Sequence, residues 1–421
     1  MATFSDLWPP VLPSQGWQDM AALDPHWQSA LAEASLTPVQ GLVSPDSAAD
    51  LADLVSQASA QQQKLLIAGA GSKLCWGSPV QSPSWAVSTQ KLNRLVAHAV
   101  SDLTVTVEAG IPLKTLQAHL ADWQQWWPVD PLYPESATVG GIIATADAGS
   151  LRHRYGSVRD LVLGISFIRA DGQLAKAGGR VVKNVAGYDL MKLMSGSFGT
   201  LGILSEMTLR LYPLPAQRCL WLISGAADDV AQLSAAMMDS PLTPTGLDVL
   251  SAGFLQEFGI PDPLGLLIQV QGAEVEPQLE GIRALLHQLK LAHTLTNLGS
   301  GDVEVLRGKS ADGLLLKLRS LPNRSVFWAD WLSRTYPGSR IQIHRGSGIG
   351  RWWAPTLTPS TLSQVRARLQ QEGGSLTLLE APLWLRQQWD PWGIPVEIQG
   401  LMASIRQQFD PRAILNPGKL I

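Results

Sequence analysis

Between Ser136 and Pro213 the chain sets single glycines and glycine pairs between short apolar runs. Gly140, Gly141, Gly149, Gly156, Gly187, Gly196, Gly199 and Gly202 all fall in this stretch. The runs Leu161–Arg169 and Ile203–Leu211 have the length and character of buried strands. Glycine has no Cβ, so backbone N–H groups beside it can approach a ligand closely. Glycines this dense between strands point to a backbone wrapped around a large polyanion, for which a dinucleotide is the obvious candidate. A turn-rich α/β domain without a ligand would show the same spacing, so the order of the words has to decide.

At 421 residues the chain is long for one core, and two domains are expected. A hydrophobic content of 45% and a charged content of 16% are those of a globular protein. The net charge is −3 with no basic block, which argues against nucleic acid as a partner. Cys75 and Cys219 are the only cysteines, too few for a disulfide framework or a four-ligand iron–sulfur cluster. A reducing, cytoplasmic setting follows. The start MATFSDLWPP lacks the basic and apolar regions of a signal peptide. No apolar stretch approaches the roughly 20 residues of a membrane span. Peripheral contact with the inner face of a membrane, through a partner, stays open. The 16 tryptophans cluster at 123–127, 328–331, 352–353 and 384–392. Core packing is the first reading of such large side chains, and a partner interface the second.

Along the chain, the Pro- and Trp-rich residues 1–36 read as an extension that wraps the surface or docks on a partner. Ser44–Gln62 reads as a helix capped by Ser44 or Asp46, with Ala48, Leu51, Leu54 and Val55 on one stripe. Lys64–Ala68 reads as a strand, Gly69–Gly77 as a loop, Leu103–Glu108 as a strand and Leu113–Asp122 as a helix. Asp130–Glu135 is a proline-punctuated loop. The result is an α+β arrangement. After Pro213 and Pro215 the pattern changes. Leu220–Ser224, Val230–Met238, Leu266–Gln271 and Gln278–Leu289 alternate strand and helix. So do Leu314–Leu318, Val326–Arg334, Arg340–His344, Ser360–Gln371 and Ser375–Glu380. Two such runs predict a split βαβ cap domain. Ile398–Phe409 is a final helix.

The ordered words GGIIATADAG, RYGSVRDLVLG, ADG and KNVAGYDLMKLMSGSFGTLGIL closely resemble the FAD-binding domain of the vanillyl-alcohol oxidase / p-cresol methylhydroxylase superfamily. Leu66–Gly77, LIAGAGSKLCWG, resembles that family's first pyrophosphate loop. Phe409–Lys419, FDPRAILNPGK, resembles the C-terminal return of its 2-hydroxyacid dehydrogenase branch. The likeness covers roughly residues 37–216 and the last dozen, and within the superfamily it is greatest to the FAD-binding subunits of bacterial glycolate oxidases. It implies a PCMH-type FAD-binding domain of two α+β subdomains at 37–216 and a ferredoxin-like cap at 217–400. Residues 401–421 would return to the FAD domain.

The resemblance also implies a cofactor site. Loop Gly69, Ala70, Gly71, Ser72 and Lys73 would line the phosphates. Alone, AGAGS is a weak signal, and it does not fit a GxGxxG turn opening a helix, so a nicotinamide site is disfavoured. Pro134, Ser136, Thr138, Gly140 and Gly141 would form the second half of the cradle. A hydroxyl at Ser136 or Thr138 can bond a phosphate or cap a helix, and the two roles are compatible. Gly202 and Ile203 match residues whose backbone contacts the cofactor in relatives, and Arg154 and Tyr155 are placed near the site. Lys183, Asn184 and Asp189 read as structural. Asn416 and Lys419 would lie near the isoalloxazine, where an ammonium favours negative charge on the ring; a solvated tail lysine is the alternative. Some members tether FAD through a histidine in the first loop. Here Lys73 follows Ser72 and Gly69–Gly77 holds no histidine, so non-covalent FAD is expected. The family often has Asn where this chain has Ala146.

Relatives that oxidise 2-hydroxy acids often carry a divalent-metal cluster of His and Glu in the cap. None of the seven histidines here sits with Glu at ligand spacing, so no metal is expected. Lys317 and Arg319, two apart on one strand, share a face and with Arg345 can grip a carboxylate. His344 ends a strand and can act as general base. A structural histidine among surface cations is the plain alternative. The expected activity is oxidation of a small 2-hydroxy acid, glycolate or D-lactate, with hydride passing to flavin N5. Electrons would leave through an iron–sulfur or quinone partner. The rival is a non-catalytic FAD-bearing electron-transfer or assembly subunit, partnered with a paralogous FAD chain and an iron–sulfur chain. A module that kept the fold and lost FAD fits the intact glycine words poorly.

Overall fold

The computed structural model of the protein describes residues 16–180, 187–273, 275–299 and 313–420. The first sheet joins β1 (Trp17–Asp19), β2 (Gly41–Val43), β3 (Leu65–Ala68) and β4 (Trp85–Ser88) in the order β1-β2-β4-β3. The last three are parallel, and β1 runs antiparallel on the edge. Helix α1 (Pro25–Ala34) starts at Asp24, whose side chain accepts from Trp27 N, and buries Trp27, Leu31 and Ala34. The part of the N-terminal extension described here therefore completes this layer. Helix α2 (Ala48–Ala60) buries Leu51, Leu54, Val55 and Ala58. Its cap is Ser47, not Ser44 or Asp46. The Ser44 amide donates to Gly16 O, and the Asp46 carboxylate is held by Lys91 at 2.8 Å, so neither is positioned to cap.

The second sheet holds β5 (Leu95–Ala99), β6 (Thr104–Glu108), β8 (Val162–Ile168), β9 (Leu174–Gly178) and β10 (Ile203–Arg210). Its order is β5-β6-β10-β8-β9, antiparallel throughout. Around it lie α3 (Leu113–Ala121), α4 (Val139–Thr145), α5 (Arg152–Tyr155) and α6 (Leu190–Met194). A small ribbon pairs β7 (Gln125–Trp126) with β11 (Tyr212–Pro213). Val105, Val107, Ile142, Ile143, Ile165 and Met207 share one core under this sheet. Ile168 and Ile203 pack instead with Val43, Leu51 and Leu65 and so join the two sheets. The C-terminal return closes the first sheet. Leu65 N donates to Ile414 O, Asn416 N donates to Leu65 O, and the Asp410 carboxylate holds the turn by accepting from Ile414 N and Leu415 N.

Where one split βαβ unit was expected, the cap has two. The first runs β12 (Arg218–Gly225), α7 (Ala227–Asp239), β13 (Gly246–Ser251), α8 (Ala252–Glu257), β14 (Leu264–Gln271), α9 (Val275–Leu289) and β15 (Thr294–Leu298). The second runs β16 (Leu314–Arg319), α10 (Ser325–Thr335), β17 (Arg340–His344), β18 (Ile349–Ala354), α11 (Pro359–Gln371) and β19 (Ser375–Glu380). The order β15-β12-β14-β13-β17-β18-β16-β19 is the ferredoxin-like order twice, one copy reversed against the other. The copies meet through their second strands, where Asp248 of β13 pairs with His344 of β17. One sheet face packs under the helices with Trp328 and Trp352, both fully buried. The opposite face packs Leu222, Leu267, Leu315, Trp353 and Leu379 against Trp76 and Leu132 of the N-terminal half. Helices α12 (Leu383–Gln388) and α13 (Val396–Phe409) then lead back. Most tryptophans are thus core, while Trp123 and Trp384 remain about half exposed. Among the described residues no helix is long and apolar enough to cross a membrane.

Candidate functional site

Two cavities lie side by side and share Thr145, Ala144–Thr145 being the end of α4, and Phe198. The first, about 860 Å³ including its mouth, is bounded by the 69–73 loop, α4, the 197–204 segment and the C-terminal return. Every cofactor residue expected from the sequence lines it except Pro134 and Ser136. The Ser136 hydroxyl is exposed and points back toward Tyr133 O at 3.5 Å, because the 133–137 turn closes on itself. Thr138 is the inward hydroxyl. It caps α4 by accepting from Gly141 N at 3.2 Å.

This cavity fits a dinucleotide. The amides of Ala70, Gly71, Ser72 and Lys73 donate to no acceptor among the described residues, yet all four residues line it. Gly71 sits at φ +84, which turns successive N–H groups toward one space, the geometry of an anion nest. A Cβ on Gly69 would collide with Thr138 Oγ1, so the loop and helix approach through glycine. A Cβ on Gly141 would meet only Thr138 Oγ1, at 3.0 Å, and otherwise enter the cleft.

Asn416 and Lys419 line the same cavity with committed polar groups. Asn416 Oδ1 accepts from Ile67 N and its Nδ2 donates to Phe198 O, both at 2.7 Å, stapling β3 to the 197–204 segment. Lys419 Nζ donates to Leu74 O at 2.7 Å, and burial pushes its pKa down to about 7. The Lys73 side chain leaves the 69–73 loop and lies 2.7 Å from Asp147 Oδ2, beside the Trp76 ring. Asp147 Oδ1 accepts from Arg351 of β18 at 3.0 Å, so one buried carboxylate joins the loop to the cap. Burial pushes the Asp147 carboxyl upward, but Lys73, Arg351 and the Leu132 amide outweigh it and hold it below the usual range.

The second cavity, about 950 Å³ including its mouth, has the polar half of the cap sheet as its floor. Two cross-strand rows form it. One runs Thr377, Lys317, Arg351 and Gln342, and the other runs Ser375, Arg319 and Ile349, with His344 beside Ile349. His344, Lys317 and Arg319 all line it. His344 Nδ1 lies 2.6 Å from Asp248 Oδ1, and Asp248 Oδ2 accepts from Ser150 and from Gln342 Nε2. Burial pushes the Asp248 carboxyl up, and His344, Ser150 and Gln342 together bring it below its usual range. With Nδ1 donating to this carboxylate, His344 Nε2 is the free ring nitrogen, and it has no partner among the described residues. Lys317 has no partner either, and burial lowers its pKa.

Several expected placements fail. Arg345 turns away from the cavity to Ser234 Oγ and Pro322 O, since it lies just past the strand end, on the side of the helices. Tyr155 stacks edge-on with Trp126 and Tyr212, and neither it nor Arg154 lines either cavity. Asp189 pairs with Lys192 at the surface, while Lys183 and Asn184 lie outside the described residues. Ala146 adopts φ +49 at the end of α4, a backbone that Asn tolerates better. The sequence reading missed Asp147, Asp248 and Arg351. The available signal was a lone charge inside an apolar run, in IIATADAG, GLDVL and IGRWWA. Among the described residues no three His, Cys, Asp or Glu side chains are arranged to hold a metal ion.

A nest of free amides beside a second, cationic cavity under a separate cap suits a dinucleotide next to a small anionic molecule. Residues 39–178 match the family described as an FAD binding domain, and FAD is the cofactor of this chain. The chain is 29% identical to "Glycolate oxidase subunit GlcE" of Escherichia coli (strain K12), over 88% of this chain and 96% of that one. It is 24% identical to "Glycolate oxidase subunit GlcD" of Bacillus subtilis (strain 168), over 90% and 88%. Among solved structures, p-cresol methylhydroxylase with substrate bound superposes with a TM-score of 0.73 at 12% identity, covering 96% of this chain and 98% of that one. The last likeness speaks for the fold alone.

Proposed function

We propose that the chain is the FAD-bearing subunit of a 2-hydroxyacid oxidase or dehydrogenase, and that it oxidises small acids such as glycolate, to glyoxylate, in the second cavity. The observation that carries this is His344: its free Nε2 faces a cavity that adjoins the FAD cleft, and its Nδ1 is fixed by a buried Asp248. The 70–73 amides would hold FAD non-covalently, and the flavin would supply the two-electron acceptor for this oxidation. Arg351 and Lys317, neighbours across β16 and β18, bind the substrate carboxylate. His344 Nε2 takes the hydroxyl proton as the carbonyl forms, and Asp248 stabilises the imidazolium. Trp76, Phe198 and Trp392 wall the cavity against water.

The supporting relatives are named as subunits, so we place the chain in a complex with a paralogous FAD subunit and an iron–sulfur subunit that removes electrons. We place that complex in the cytoplasm, with any membrane contact made by a partner. Residues 37–216 would serve as the cofactor domain and 217–400 as the substrate domain. A second reading, a non-catalytic FAD-bearing electron-transfer or assembly subunit, is favoured by α13, which has no buried residue and exposes Val396 and Leu401.

The test is the visible spectrum of the purified flavoprotein before and after anaerobic glycolate. Bleaching is expected, slowed about a hundredfold or more in His344→Asn and Asp248→Asn with flavin content unchanged. Full-rate bleaching in both variants removes His344 as the base. A flavin that no 2-hydroxy acid bleaches, in the isolated chain or in the complex, leaves the second reading.

A further inference from the structure

We propose that helix α1, which lies before the matched FAD-binding residues 39–178, belongs to the cofactor site, and that His26 is the positioning residue through which it acts. His26 does not touch the cofactor. It holds the carbonyl of Ala70 outward and so aims the Gly71 amide at the diphosphate of FAD. This requires the diphosphate to lie against the 70–73 amides, and it goes beyond the hydroxyacid reading without depending on it.

A nest of amides binds an anion only if its peptide planes are turned the right way. In a trans peptide the C=O of one residue and the N–H of the next point in opposite directions, and the described residues include no cis peptide. Fixing a carbonyl behind the loop therefore fixes the following amide toward the cleft. Gly69 O accepts from Ser88 Oγ of β4 at 2.7 Å, which turns the Ala70 amide inward. Gly71 O closes on Leu74 N at 3.4 Å within the loop. Between them, Ala70 O is held by neither the sheet nor the loop. His26 Nε2 donates to it at 3.1 Å, and no other donor reaches it among the described residues. A carbonyl can only accept, so the imidazole carries a proton on Nε2.

The helix gives that bond a fixed base. Asp24 caps α1 and Pro25 fills its first position, so His26 stands on an ordered first turn. Trp27, Leu31 and Ala34 pack into one core with Leu66 and Ala68 of β3, the strand that leads into the loop. The far end is tied by Val80 N to Ala34 O at 2.8 Å, and by Arg386 of α12 to Glu33 O at 2.6 Å. The approach to the loop is close. A Cβ on Gly71 would lie 3.3 Å from both His26 Nε2 and Trp27 Cζ3. Glycine at φ +84 thus admits the helix on one side while it turns the nest open on the other. His26 and Trp27 do not line the cavity, so they back the loop and leave the cleft free.

The experiment follows FAD release from the purified holoprotein, by the rise in flavin fluorescence after rapid dilution, together with the thermal midpoint of the apoprotein. His26→Phe keeps a ring beside Trp27 and removes the donor, and it should release FAD about fivefold faster, the size of one net hydrogen bond. His26→Gln places an N–H donor at a similar reach and should stay within about twofold of the unaltered protein. The apoprotein midpoints should be equal, because His26 is exposed and its one polar contact among the described residues is with the loop. Release within about twofold in His26→Phe overturns the proposal, and so does a loss in His26→Gln as large as that in His26→Phe. An apoprotein midpoint that falls in step with FAD retention also overturns it, since the histidine would then serve the fold and not the aim of the amide. No substrate enters either measurement, so the outcome stands whether or not a 2-hydroxy acid bleaches the flavin.

Discussion

Asp147→Asn should be among the most damaging single changes in this protein, and the reason is an asymmetry in one buried triad. Asp147 serves two cations, Lys73 at 2.7 Å and Arg351 at 3.0 Å, and the three side chains are 4%, 6% and 7% exposed. Removing the carboxylate's charge leaves two buried cations facing each other. Breaking a single buried pair in this way costs about 3–5 kcal/mol, a large part of the roughly 5–15 kcal/mol that holds a typical domain folded. Lys73→Met removes one cation but leaves Asp147 paired with Arg351, and an apolar chain of similar length fills the space beside Trp76. That change should cost no more than about 1 kcal/mol. Because Asp147 titrates lower in the folded state than in the unfolded chain, its contribution is complete above about pH 4 and is lost as pH falls through the native value. The two proteins should therefore converge in acid. Urea denaturation at pH 7 with saturating FAD, followed by tryptophan and flavin fluorescence, reads the difference. Equal midpoints for Asp147→Asn and Lys73→Met, or a loss below about 1 kcal/mol for Asp147→Asn, would refute the triad as the tie between loop and cap.

Two further outcomes follow from the cofactor cleft. Gly141→Val sends a branched side chain into open cleft, since only Thr138 Oγ1 lies near its Cβ, so the purified variant should be folded by circular dichroism yet carry little flavin; full occupancy would displace the cradle from α4. Lys419, with its pKa pushed down to about 7 against an ordinary value of 10.5, binds fewer protons folded than unfolded across that interval, so its burial opposes folding less as pH rises from about 7 toward 10. Thermal midpoints of Lys419→Met should be flatter over this range than those of the unaltered protein, and parallel curves would show that the lysine is not buried as a free base.

What the sequence shows of this fold depends on where charge falls within strands. The cofactor half was legible because its glycines stand in and beside runs without charge, such as Val162–Ile168, in which all seven residues are buried. Three cap strands escaped notice: Gly246–Ser251, Thr294–Leu298 and Ile349–Ala354. Two of them carry Asp248 and Arg351, charges that break the apolar run because they floor a cavity. The periodicity of the sequence is weakest where the chemistry lies. The missed strands also hid the duplication, since each unit showed fewer strands than its four. His344, Lys317 and Arg319 were found because they end or alternate along readable strands, whereas Asp248, the partner of His344, is 96 residues away in sequence, and only the sheet brings the two together.

The duplication explains why the dyad sits where it does. A lone ferredoxin-like unit exposes its second strand as an edge, an open row of hydrogen-bonding groups. Here the two second strands, β13 and β17, cover each other, and the pairing is only three residues long: Asp248 with His344, Val249 with Ile343, Leu250 with Gln342. A short ladder can slip, and a slip of one residue would turn His344 to the helical face. The Asp248 carboxylate resists this, because it accepts from His344 on the facing strand, from Gln342 two residues along it, and from Ser150 of the FAD-domain half. All three donors are met in one register only. The contact that aims His344 at the cavity is thus the contact that sets how the two halves of the cap join. Asp248→Asn should accordingly lower both the rate of flavin reduction and the cooperativity of cap unfolding, whereas His344→Asn, which keeps a side-chain donor toward Asp248, should lower the rate with a smaller effect on unfolding. Hydrogen exchange across β13 and β17 in the two variants separates the roles, and equal protection in both would mean that register is held by the flanking strands instead.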